Sequence, residues 1–208
     1  MATIVIAFTI GFCAYLFMGF SVFLLNPGDK INRTFLILAF SFALLCASGA
    51  AIQLDSELSR IDMVFRLATC LSLAMLVLMI LLSAFISGLP ALRLLAYVSI
   101  VPVLYLSYKT MSLQPLVTFI RVGDSWRVLG IDAPGHLWAT MAFYSLSILL
   151  CVACLALWMK RTPLRREKKQ ASILLCTFLL CGVINVAYML CEFNELRIVE
   201  HPVPGDAT

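Results

Sequence analysis

Charge is scarce in this sequence. Asp, Glu, Lys and Arg make up only 12% of its 208 residues, about half of what a soluble domain carries. Apolar residues make up 62% and the mean hydropathy is +1.03, which leaves too little polar surface to keep a folded chain dissolved. Catalytic signatures are also missing: there is no HExxH, no Gly-rich phosphate loop, no GxSxG and no Cys-rich metal quartet. The two histidines, His136 and His201, fall at the edge of an apolar run and in the tail. Membrane enzymes normally carry ionisable groups inside their spans, and none lies deep in any apolar run here. Neither catalysis nor a metal or cofactor site is expected. The first residues lack a basic n-region and a small-residue cleavage site, so a removable signal peptide is not expected either.

What the sequence does have is apolar runs of about twenty residues, the length a helix needs to cross roughly 30 Å of hydrocarbon. They predict six transmembrane helices at about 3–25, 34–53, 67–87, 92–108, 136–159 and 171–191, in an all-α polytopic membrane bundle. The runs do not alternate over ten residues as barrel strands would. Asn26-Pro27-Gly28-Asp29 ends the first helix, Thr34 is placed to cap the second, and Ser87-Gly88-Leu89-Pro90 turns the third into the fourth. Pro102 is expected to kink the fourth helix. All eight cysteines (Cys13, Cys46, Cys70, Cys151, Cys154, Cys176, Cys181 and Cys191) lie in or beside apolar runs. That placement suits small packing residues better than a disulfide framework. The Cys151-x-x-Cys154 pair also admits a redox or metal-sensing reading, but no helix N-terminus or basic neighbour is at hand to activate a thiol.

Basic residues orient the chain. With the N-terminus outside, Lys30, Arg33, Arg93, Lys160, Arg161, Arg165, Arg166, Lys168 and Lys169 face inward. Arg60, Arg66, Lys109, Arg121, Arg127 and Arg197 face outward. The positive-inside rule favours that arrangement. It makes 109–135 an outer loop or lid and 192–208 a polar outer tail. The alternation in Leu116–Arg127 predicts a short strand or an interfacial hairpin. Trp126, Trp138 and His136 fit an interfacial aromatic belt, and Asp132–Gly135 reads as a turn.

Two groups of residues are candidates for contact with a ligand. Asn185, Tyr188 and Glu192 share one face of the sixth helix and are placed to line a pocket opening outward, and Trp126 in the lid and His136 at the edge of the fifth span are the other candidates. The bland reading is an Asn bonded to a neighbouring helix and a Glu at the water interface. The basic loop, with Lys160, Arg161, Arg165, Arg166, Lys168 and Lys169, fixes topology and meets anionic lipid head groups. No nucleic-acid-reading module accompanies it.

Two stretches together carry a resemblance. One is Asn26-Pro27-Gly28-Asp29-Lys30-Ile31-Asn32-Arg33-Thr34-Phe35, leading into the second apolar run. The other is a fifth span whose basic loop enters the sixth through Lys168-Lys169-Gln170, with Asn185 late in that span. The layout resembles the N-terminal seven-helix sensor region of bacterial membrane histidine kinases, including those linked to exopolysaccharide and protein-sorting systems. Asn32 and Phe35 match that family's first-loop Asn and Phe, which are turn and packing positions, so no catalytic residue carries over. The resemblance implies a bacterial cytoplasmic-membrane location and a two-component signalling role. It further implies a homodimer, and a seventh span and kinase domains after Thr208, none of which this sequence contains. A non-catalytic sensory module is therefore the first expectation. A structural subunit of a larger membrane complex is the second, and a small transporter or lipid-acting enzyme the third.

Overall fold

The computed structural model describes residues 2–113, 117–122, 125–131, 134–161 and 172. Five helices and one hairpin follow in order: α1 (Ala2–Leu25), α2 (Lys30–Leu54), α3 (Leu58–Ser87), α4 (Pro90–Ser112), β1 (Val117–Val122), β2 (Ser125–Ile131) and α5 (Pro134–Arg161). All five helices are long and apolar enough to cross a membrane, so the chain is a helical membrane protein. Among the described residues the helix count is five where the sequence predicted six. The sixth span at 171–191, the tail 192–208 and the basic loop beyond Arg161 lie outside the described residues, apart from Ser172 in a helix.

The boundaries differ from expectation for local reasons. Helix α2 starts at Lys30, earlier than expected, because Asp29 and not Thr34 caps it: the Asp29 carboxylate accepts the Ile31 N–H at 3.0 Å. Thr34 is instead buried inside the helix, where its hydroxyl donates to the Lys30 carbonyl. The turn before the cap is closed by side chains, with Asn32 Nδ2 donating to Asn26 O and Arg33 Nε to Pro27 O. Helix α3 begins at Leu58, well before residue 67, which brings Asp62 and Arg66 inside the helix. At its other end Gly88, at φ +67°, takes the left-handed C-cap conformation that glycine adopts without a Cβ clash, and Pro90 opens α4 at N1. Helix α4 runs unbroken through Pro102 to Ser112, beyond the expected end at 108.

Helix α3 is the hub, packing against α2, α4 and α5. Leu76, Ile80, Leu82 and Leu155 are essentially inaccessible in the core it organises with α2, α4 and α5. Buried hydroxyls do not disturb that core. Ser41, Ser83, Ser99 and Thr110 each donate to the carbonyl one turn back, which satisfies the donor in a medium without water. Helix α1 leans on α2 and on no other described element to any extent. Cys151 is buried in the central core, with Cys154 half-buried against it, and Cys46 sits against Gly11 of α1. All the described cysteines are free thiols.

Candidate functional site

Loop 55–57 and the hairpin lie on one face of the bundle, while loops 26–29 and 88–89 lie on the other. The hairpin is antiparallel, from Val117↔Ile131 to Val122↔Ser125, with a register shift between Thr118 and Phe119. Three sets of contacts fasten it to the helix ends. The Trp126 indole N–H donates to the Asp55 carbonyl at 2.9 Å. The Gln53 amide bridges the Trp126 backbone, accepting its N–H at 3.2 Å and donating to its carbonyl at 3.4 Å. Phe119, buried, meets Phe65 of α3 edge-to-face with ring centroids 5.4 Å apart. These bonds span α2, the α2–α3 loop and α3.

Loop 55–57 is itself made rigid for this purpose. The Asp55 carboxylate accepts the backbone N–H groups of Ser56 and Glu57 at 2.7 and 3.0 Å and pairs with Arg60 at 3.5 Å. The Glu57 N–H, with help from Ser56 and Arg60, holds this carboxyl below its usual range, so it stays ionised while its backbone carbonyl holds the tryptophan.

A polar cluster lies where α4 hands the chain to the hairpin. Arg66, with its side chain only 7% exposed, forms a 2.6 Å ion pair with Asp62 one turn earlier. The same guanidinium donates through Nη1 to the carbonyls of Thr110 at 2.7 Å and of Leu113. Those carbonyls belong to the last turn and C-cap of α4, where no intrahelical donor remains. A planar, five-donor guanidinium is the side chain suited to this task; an ammonium would not fork in the same way. Asp62 Oδ1 is buried with no hydrogen-bond partner among the described residues.

His136 completes the cluster from the first turn of α5, just before the apolar span that begins at Trp138. Its Nε2 lies 2.9 Å from Thr110 Oγ1. The Thr110 hydroxyl also lies 2.9 Å from Leu106 O, so this one side chain ties the His136 ring to the last turns of α4. Burial, reinforced by the nearby Lys109 charge, pushes the His136 pKa down, and the ring is neutral at physiological pH.

Of the residues singled out in the sequence, Trp126 and His136 both fall on the hairpin face but hold different elements, α2 and α4. Both side chains are engaged within the chain. Asn185, Tyr188 and Glu192 lie outside the described residues, as do Arg165, Arg166, Lys168 and Lys169; Lys160 is exposed at the end of α5 and Arg161 is its last residue. Sequence reasoning missed Gln53, Asp62, Arg66 and Thr110. The Asp62/Arg66 pair had a legible signal, opposite charges at i, i+4, which a helix start set at 67 left in a loop. Among the described residues no group of His, Cys, Asp and Glu could hold a metal ion. Comparisons with family models, with curated proteins and with solved structures gave no match.

Proposed function

We propose that this chain is a non-catalytic sensory module whose input element is the outer hairpin, and that it serves a membrane histidine kinase. The observation that carries the reading is the hairpin's attachment to the bundle. Its Trp126 and Phe119 are held by α2, the α2–α3 loop and α3, and Arg66, next to Phe65, grips the end of α4. A force on the hairpin is thereby delivered to the central helix, which packs on α2, α4 and α5. A passive connector would need neither directed hydrogen bonds to the end of α2 nor a ring packed on α3. Helix packing with two discrete arrangements is the physical basis for relaying such a displacement.

In this reading the hairpin faces outward, as the basic residues predict, and the natural gene product continues through a seventh span to a cytoplasmic dimerisation helix bearing a phospho-accepting His. The test uses membranes containing the full product of the native reading frame, supplied with labelled ATP. A phosphorylated histidine is expected, with a labelling rate that changes several-fold in Trp126→Ala, which cuts one tie between hairpin and bundle. A frame that stops at Thr208, with a stoichiometric set of other subunits co-purifying, would replace the sensor by the complex-subunit reading. Separately, a reporter fused after Gly123 should read as exterior; a cytoplasmic signal there would invert the input face.

A further inference from the structure

Beneath the hairpin, α2 and α5 both pack on α3. They leave a half-open cavity of about 330 Å³ lined by, among others, Phe42 and Leu45 of α2, Thr69 and Ser72 of α3, and Thr140 and Ser145 of α5. At 1.5 Å per residue these side chains lie roughly 10 to 20 Å along their helices from the hairpin face, within the hydrocarbon layer. The volume is at the lower end of the range for small-molecule sites, about 300–1,000 Å³.

The chemistry of the lining decides what fits. Among the described residues no charged side chain borders the cavity. Three of its hydroxyls are turned back on their own helices: Thr69 donates to Phe65 O, Ser72 to Ala68 O and Thr140 to His136 O, at 2.9, 2.9 and 3.0 Å. These three offer a ligand methyl groups, methylenes and acceptor lone pairs, but no donor. A carboxylate or phosphate would lose its hydration here and gain no donor from these three, and an ammonium would find only neutral acceptors in place of water or a counter-charge. A saturated chain loses nothing, and it restores the dispersion contacts that a void in the packing forfeits. At this depth the surrounding medium consists of such chains.

We propose that this cavity seats one aliphatic chain of a membrane lipid, with the lipid's polar end left outside at the hairpin face. The assignment rests on the cavity alone and goes beyond the signalling reading, so either can fail without the other. The test uses the full chain in nanodiscs containing a trace of phospholipid with a diazirine midway along one acyl chain. After irradiation, peptide mass spectrometry should find label on segments 69–75 and 140–145 several-fold above that on Leu94 and Val101, which are exposed on α4 and report bulk lipid. Ser72→Phe, which fills the cavity, should remove the excess and leave the α4 signal unchanged. Ser72→Leu serves the same end where the larger ring prevents folding. Cavity labelling no higher than on α4 overturns the proposal. So does a disulfide from the Ser145→Cys thiol to Cys176 or Cys181 under mild oxidation, because the chain's own later apolar run would then be the occupant.

Discussion

Replacing Arg66 with alanine should cost the folded bundle about 3 kcal/mol, the lower end of the range for breaking a buried ion pair. The lower end applies because Asp62 retains 32% of its side-chain exposure while Arg66 retains 7%. Three acceptors lose their donor together: the Asp62 carboxylate and the Thr110 and Leu113 carbonyls. Asp62 suffers most, since its Oδ1 is already buried with no partner among the described residues. Denaturation of the detergent-solubilised protein, followed by helix signal, measures the loss. Arg66→Lys should recover only part of it, because an ammonium reaches Asp62 without forking to two carbonyls. In the double variant Asp62→Leu/Arg66→Met the charge penalty disappears. What remains, about 1–3 kcal/mol, then reports the two unsatisfied carbonyls of α4. An Arg66→Ala protein as stable as the parent would show that water, not the guanidinium, satisfies this corner.

The same corner shows where the sequence was readable and where it was not. Five spans were legible because each is a run of about twenty apolar residues, a signal that depends on composition alone. Their ends were not, because a membrane helix can project beyond the hydrocarbon. Helix α3 has 30 residues, about 45 Å at 1.5 Å each, against roughly 30 Å of hydrocarbon. Its first turns therefore carry Arg60, Asp62 and Arg66 with no loss of helicity. The β-character of Leu116–Arg127 was visible in its alternation. The partner of Trp126 was not, since Gln53 lies 73 residues away and nothing in its local sequence distinguishes it. Thr34 illustrates the opposite error: a threonine before an apolar run looks like a cap, but Asp29 stands where a cap side chain can reach the first free N–H.

The most consequential test of the packing concerns α1. It meets α2 along an antiparallel seam in which Gly49 faces Phe8, Gly11 faces Cys46, Tyr15 stacks on Phe42 with centroids 5.0 Å apart, and Gly19 faces Ala39. Small residues let two membrane helices approach until their backbones nearly touch, and dispersion then holds them without help from water. The glycines are not equivalent. A Cβ on Gly49 would meet the Phe8 ring at 2.6 Å, but that ring ends a side chain that can swing aside. A Cβ on Gly19 would sit 2.9 Å from the Ala39 Cβ and 3.2 Å from Leu36 Cδ1, and alanine has no rotamer with which to yield. Gly19→Val should therefore force the helices apart at a cost of about 1–3 kcal/mol. Because no other described element braces α1 to any extent, the separation should spread along the seam. Gly11→Cys provides the readout. A Cβ built there lies 3.9 Å from the Cys46 Cβ, inside the roughly 3.5–4.5 Å window of a disulfide. Mild oxidation of Gly11→Cys should link residue 11 to Cys46, as identified by peptide mass spectrometry, and adding Gly19→Val should cut the yield several-fold. If Gly11→Cys fails to link with Gly19 intact, the register of α1 on α2 is wrong. If linking is undiminished in the double variant, the seam does not depend on close approach at Gly19.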